Sequence, residues 1–235
     1  MPYKCVIFDF DGTLADTEEK AFQIYNRLAE KYQYSQVTME ELQHIKNLHI
    51  KEILEIVDIP LHHFPRVIKE GQKMLKSESS EIHAFNSDIH DFFVAMNKEV
   101  EFCGILTSNI KKTVNQFIKK YFLEEEIKFV KCSALMSKAD KIRKVLRWSR
   151  IKPHEMLYVG DETRDIEACK KVGVDVVAVK WGYNTPKALE QCDPTYMIDN
   201  LWDLLDIVKK NQKGFDIKLL SSEVDLEYKK ELLEG

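Results

Sequence analysis

The stretch Cys5-Val6-Ile7-Phe8-Asp9-Phe10-Asp11-Gly12-Thr13-Leu14 decides how this chain is read. An apolar, strand-like run leads into two carboxylates two positions apart and then a glycine turn. Successive strand residues point to opposite faces, and the chain turns at Gly12, so Asp9 and Asp11 can converge on one site at the carboxyl end of a buried strand. Open α/β sheets bind their ligands at such ends. Asp-Gly is also a common hairpin turn. A hairpin needs a second strand next, whereas Ala15-Asp16-Thr17-Glu18-Glu19 is an acidic helix start. Ala21, Phe22, Ile24, Tyr25, Leu28, Ala29 and Tyr32 follow it at helical spacing. Strand, turn and helix in that order point to chemistry at the two aspartates.

Working outward, Lys4 to Phe8, Glu101 to Leu106, Ile127 to Val130, Met156 to Val159 and Val174 to Val179 read as short apolar strands separated by helical or charged stretches. The pattern predicts an α/β fold, a doubly wound, Rossmann-like parallel sheet. Between the first two strands the chain runs far beyond the roughly 2–6 residues usual for a strand-to-helix loop. An inserted, all-helical unit fits there, with helices near Thr17 to Tyr32, Thr38 to Lys46, Ile50 to Val57 and Phe64 to Lys76. Ser87 to Met96 reads as a capped helix returning the chain to the sheet. Helices over Lys111 to Tyr121, Ala139 to Ser149, Thr163 to Val172 and Leu201 to Lys209 would cover its faces. The expected division is a core from 1–15 and 85–210, a helical cap from 16–84, and a charged tail from 211–235.

A chain of 235 residues suffices for one sizeable core plus a smaller insert, at about 100–200 residues per domain. The net charge is -4, with no basic block interleaved with aromatics, so a nucleic-acid footprint is absent. The cysteines at 5, 103, 132, 169 and 192 are scattered and form no Cys-x-x-Cys pair, which fits a reduced, cytoplasmic compartment. Met1 to Lys4 run directly into the first strand, leaving no room for a signal peptide. No apolar run approaches the roughly 18 residues of a membrane span.

Three further segments carry chemistry. Leu106-Thr107-Ser108-Asn109 sets hydroxyls and an amide past the second strand, where they can hold phosphate oxygens or simply cap the next helix. Lys138 opens the stripe Ala139, Ile142, Val145, Leu146 and Trp148 at the helix end that disfavours a cation. A bound anion would repair that, and Lys141 competes for the same role. Gly160-Asp161-Glu162-Thr163-Arg164-Asp165 again brings an apolar strand to carboxylates, and a spacing of four puts Asp161 and Asp165 on one helical face. Converging carboxylates repel, so a cation is implied, and hard oxygen donors favour Mg²⁺.

With these residues in view, the chain resembles the haloacid dehalogenase superfamily, and within it the phosphatases of the phosphoglycolate phosphatase and β-phosphoglucomutase type. The four motifs of that family appear in order: Asp9-Phe-Asp11-Gly-Thr-Leu, Leu106-Thr107-Ser-Asn, Lys138, and Gly160-Asp161-Glu-Thr-Arg-Asp165. The helical insert resembles the family's small cap. The resemblance implies a nucleophile at Asp9, an acid and base at Asp11, and phosphoryl contacts from Thr107 and Lys138, with Ser108 and Asn109 beside them. It implies Mg²⁺ on Asp9, the backbone carbonyl of Asp11, Asp161 and Asp165. A small phosphorylated metabolite would be the substrate, with neither nucleic acid nor membrane as partner, and the protein a monomer or homodimer. The sequence departs from the family at Ala139, where many relatives carry proline, and at Ala84-Phe85-Asn86-Ser87, which replaces a Pro-Gly.

Other readings are weighed on single residues. Asp11 argues against a dehalogenase, whose halide leaving group needs no proton. A sugar phosphomutase keeps all four motifs, but Ala21 stands where those enzymes resemble one another in a histidine. A phosphonate hydrolase needs a cap lysine such as Lys46 or Lys51, each read more simply as a solvated helix residue. A non-catalytic binding or regulatory domain on the same fold would tolerate loss of Asp9, Asp11 or Asp161, none of which is lost. The histidines at 44, 49, 62, 63, 83 and 90 match no zinc spacing, and His62 and His63 would point apart on a regular element. Trp181-Gly182-Tyr183-Asn184 reads as a packing loop beside the site. In the cap, Glu18, Glu19, Lys20, Lys46, His49 and Lys51 are the residues that would choose a substrate.

Overall fold

The apolar run becomes strand β1 (Cys5–Phe8), with every residue buried. In the computed structural model, residues 2–45, 48, 50–78, 82–133 and 136–213 are described. Lys46, His49 and the tail beyond residue 213 lie outside the described residues, as does the side chain of Lys51. After β1 come a short strand β2 (Ala15–Asp16), helices α1 (Glu18–Tyr32), α2 (Met39–Ile45), α3 (Ile50–Ile56) and α4 (Phe64–Ser77), and a short strand β3 (His83–Ala84). The chain continues through α5 (Ile89–Met96), β4 (Phe102–Thr107), α6 (Lys111–Lys120), β5 (Ile127–Cys132), α7 (Lys138–Ser149) and β6 (Met156–Gly160). Then follow α8 (Thr163–Lys170), β7 (Asp175–Val179), α9 (Pro186–Gln191) and β8 (Tyr196–Ile198), and the backbone is helical again over 201–213.

Six strands form one parallel sheet in the order β5-β4-β1-β6-β7-β8. The doubly wound fold expected from the sequence is therefore present. The chain builds outward from β1 through β4 to β5, then returns to build the other side from β6. The order reverses at β1, and the carboxyl ends of β1, β4 and β6 flank the crevice that such a reversal opens. Phe8 is in register with Ile105 of β4 and Val159 of β6, so Asp9, Thr107 and Asp161 all emerge just past that level.

Both faces of the sheet are covered, which is why its strands read as continuous apolar runs. Val6 and Phe8 face one side and pack with Phe92 and Phe93 of α5, Phe8 meeting Phe93 edge-on at a centroid distance of 5.1 Å. Cys5 and Ile7 face the other side, against Ile142 and Val145 of α7 and Ile166 of α8. Burying a phenylalanine such as Phe8 contributes about 1.5–3 kcal/mol. These layers fix β1 rigidly beneath Asp9.

The inserted helices have their own apolar cluster, which includes Ile24 and Leu28 of α1, Leu42, Leu54, Val57 and Val67. Four details differ from the sequence reading. The insert is not purely helical: β2 and β3 pair antiparallel, Ala15 with Ala84 and Asp16 with His83, joining its two connections to the core. β8 and α9 were unexpected, being only three and six residues long. At α5 no side chain caps the helix, because the Asp88 carboxylate instead accepts a hydrogen bond from Trp202 Nε1 at 2.7 Å. His62 and His63 also do not point apart: they lie in a turn before α4, with ring centroids 4.3 Å apart, and His63 Nδ1 sits 2.8 Å from the Tyr34 hydroxyl.

Candidate active site

Asp9 leaves β1 with its side chain 7 % exposed. One carboxylate oxygen accepts the Phe10 backbone N–H at 2.8 Å, and the other is in close contact with the Lys138 ammonium. Lys138 is the first residue of α7, whose N-cap Ser137 accepts from the Asp140 N–H at 3.2 Å. Its Nζ also lies 2.8 Å from Asp165 Oδ1. The two carboxylates hold its pKa well above the ordinary lysine value despite the burial that opposes this. Lys141, the competing candidate, instead donates to the backbone carbonyl of Thr107 at 3.2 Å.

Asp11 turns toward the end of β4. Its Oδ1 accepts from Asn109 Nδ2 at 2.9 Å, and its Oδ2 lies 3.5 Å from the Thr107 hydroxyl. Burial and then the charge of Asp9 push its pKa up to about 6, against hydrogen bonds from Asn109 and Thr17 and the Lys138 charge. The Thr107 hydroxyl accepts the Asn109 backbone N–H at 2.9 Å, so Thr107 and Asn109 form one unit around Asp11. Ser108 stands at the mouth, where its carbonyl lies 3.5 Å from Gln72 Nε2 of α4.

Asp161 follows β6 and is fully buried. Its two oxygens accept from the Thr13 hydroxyl at 2.7 Å and the Tyr183 N–H at 2.8 Å. Burial, and then the charges of Glu162, Asp9 and Asp165, raise its pKa well above the carboxylate range. Because Asp161 precedes α8, its spacing of four to Asp165 is not a helical repeat, and the two act on each other through charge across the bend between strand and helix. Asp165, in the first turn of α8, has a carboxylate oxygen 3.4 Å from the backbone N of the N-cap residue Glu162, alongside its contact with Lys138.

Carboxylate oxygens of Asp9, Glu162 and Asp165 lie within 4.8 Å of one another. Glu162 has no role of its own in the motif reading; its signal in the sequence is a third acidic residue within five positions. Its carboxylate also contacts Arg164. Four carboxylates crowd here, Asp161 included, while Lys138 pairs with only Asp9 and Asp165; an all-oxygen donor set of this kind suits a hard divalent cation such as Mg²⁺.

The loop after β7 buttresses this cluster, as its reading as a packing loop anticipated. Trp181 Nε1 donates to the Thr13 carbonyl at 3.1 Å, and Asn184 Oδ1 accepts the Thr163 N–H at 2.8 Å. Two glycines let backbone approach Asp161: a Cβ on Gly12, whose φ is +75°, would fall 2.1 Å from Asp161 Oδ2, and one on Gly182 would fall 2.2 Å from Asp161 Cβ. Gly182→Ala must therefore displace Asp161. It is expected to cost about 1–3 kcal/mol in urea unfolding, and to lower activity beyond what that loss of folded protein explains. Unchanged stability and turnover would mean that Asp161 has room to move.

A reversal-point crevice lined by carboxylates and a buried lysine defines an α/β protein built for chemistry on an anionic group. The haloacid dehalogenase-like hydrolase family matches residues 6–179, and the chain belongs to that family. It is 26% identical over 206 residues to a phosphoglycolate phosphatase of Synechococcus elongatus, covering 87% of this chain and 97% of the relative. It is 25% identical over 222 residues to the pyrophosphatase PpaX of Anoxybacillus flavithermus, covering 88% and 98%. A haloacid dehalogenase-like hydrolase from Streptococcus pneumoniae shares the fold with a TM-score of 0.76 at 16% identity, over 87% of this chain and 98% of that one. The resemblance drawn from the four motifs is thus borne out. Among the described residues no helix is long and apolar enough to cross a membrane.

Proposed function

We propose that the protein is a Mg²⁺-dependent phosphatase that hydrolyses a small phosphomonoester through an aspartyl-phosphate on Asp9. The observation that carries this reading is the Asp9 carboxylate held against Lys138 at the reversal point, with Asp11 turned aside onto Asn109. An Asp9 oxygen attacks phosphorus and the bond to the ester oxygen breaks, while Asp11 gives its proton to that leaving oxygen. Water then attacks phosphorus, Asp11 takes its proton, and the bond to Asp9 breaks to release phosphate. Lys138 and the Thr107 hydroxyl stabilise the phosphoryl oxygens, the positioning and charge neutralisation that phosphoryl transfer requires. Asn109 orients Asp11, and Ser108 borders the phosphate. Asp9, the Asp11 carbonyl and Asp161 would hold Mg²⁺, with Asp165 and Glu162 at its edge; bound there, it would neutralise charge on the transferring group.

The segment 16–84 acts as a cap over this centre in the same reading, with the β2–β3 pair as its hinge. Gln72 reaching toward Ser108 supports a cap that closes on the phosphate loop and excludes water. A cytoplasmic setting fits the five cysteines, which are all free. The relatives' names put phosphoglycolate and pyrophosphate into the first panel of substrates, beside simple sugar and alkyl phosphates. Phosphate release from at least one member is expected with Mg²⁺, and none once a chelator removes it. Release that survives chelation would sink the metal dependence, and no release from any member would sink the phosphatase.

A further inference from the structure

Lys141 is the one motif lysine that the proposed chemistry leaves unused. It is 6 % exposed, donates to the Thr107 carbonyl at 3.2 Å, and makes no ion pair among the described residues. A buried ammonium without a carboxylate partner is costly. Burial, and next the Lys138 charge, bring its pKa down to about 8. Lys141 lines a cavity of about 450 Å³ between α7 and α8, together with Lys138, Arg143, Arg164, Lys171 and Glu167. Three of those cations are already partnered: Lys138 by Asp9 and Asp165, Arg143 by Asp140 at 2.8 Å, and Arg164 by Glu162. Among the described residues Lys141 and Lys171 have no carboxylate partner, and Glu167 is the single carboxylate in the lining. Lys138 lines this cavity and also contacts Asp9, so the two spaces adjoin at that side chain.

We propose that this cavity is a second oxyanion subsite centred on Lys141, receiving a carboxylate or phosphate separate from the phosphoryl group on Asp9. In its first form, which rests on the phosphatase reading, the oxyanion is the far end of the substrate, and the enzyme prefers doubly anionic phosphomonoesters. A free oxyanion held beside the site is the other source of the same chemistry. The cavity lies between core helices, so discrimination for a distal acid would be built into the core as well as the cap.

The test compares kcat/KM for pairs of phosphomonoesters that differ only in a distal carboxylate or carboxamide, at two chain lengths. The wild-type protein, Lys141→Met and Lys171→Gln are measured, and the acid-to-amide ratio cancels general damage to catalysis. Since a charge-assisted hydrogen bond to a distal acid is at stake, the ratio is expected to fall at least about tenfold in Lys141→Met. A smaller fall is expected in Lys171→Gln, whose exposed site puts folding at no risk. In parallel, sulfate is titrated against thermal unfolding of the wild type and Lys141→Met. A sulfate affinity weakened by Lys141→Met, with the ratio unmoved, would assign the subsite to a free oxyanion. If neither ratio nor sulfate affinity changes, the subsite does not exist. Should the wild type hydrolyse no ester, the phosphatase reading has failed, and the sulfate titration alone decides the cavity.

Discussion

Asp9→Asn is expected to lower kcat by at least about four orders of magnitude on any substrate the wild type turns over. The amide keeps the shape of the carboxylate but offers no anionic oxygen to attack phosphorus. Its carbonyl can still accept the Phe10 N–H, so the turn after β1 should hold. Lys138 would retain Asp165 as its partner. The change also removes one charge from a crowd of four carboxylates, so the folded state should be no less stable without metal, and a thermal melt beside the assay separates lost chemistry from lost folding. A residual rate within tenfold of wild type would move the nucleophile elsewhere.

Lys138→Met carries the second large effect, because this lysine serves both chemistry and structure. Removing an electrostatic stabiliser of this kind costs about 10²–10³ in kcat. Its ammonium is also the cation shared by Asp9 and Asp165, whose side chains are 7 % and 0 % exposed. Breaking a buried ion pair from one side costs about 3–5 kcal/mol, since the partner charges stay behind. The variant is therefore expected to melt well below wild type in chelator and to recover more than wild type does on adding Mg²⁺, which would bind the folded carboxylates. The double variant Lys138→Met with Asp165→Asn should regain part of the loss without metal. Equal melting of all three proteins in chelator would show that the lysine and its carboxylates are not coupled.

What the sequence disclosed followed from local rules. β1, β4, β6 and β7 are runs buried on both faces, and Asp9, Thr107 and Asp161 sit where those rules end a strand, so the sheet and the gathering of these three residues at its carboxyl edge could be placed from the residues themselves. Lys138 could be favoured over Lys141 only through the family pattern, as charge alone did not separate them. The features that escaped are held by distant partners. β8 is three residues long and is defined by pairing with β7, and Asp88 forgoes capping for a tryptophan 114 positions away. Thr13, after β1, and the Tyr183 N–H, after β7, both donate to Asp161, a convergence that no spacing announces. The strand β2 was hidden inside an acidic helix start because two residues are too few to show an alternation.

The most direct measurement is the configuration at phosphorus after hydrolysis of an aryl phosphorothioate, made chiral by sulfur and two oxygen isotopes, in water carrying the third isotope. Attack by Asp9 followed by attack of water inverts phosphorus twice, so the thiophosphate is expected to be released with retained configuration. Inverted configuration would mean a single transfer directly to water, and would contradict the aspartyl-phosphate on Asp9.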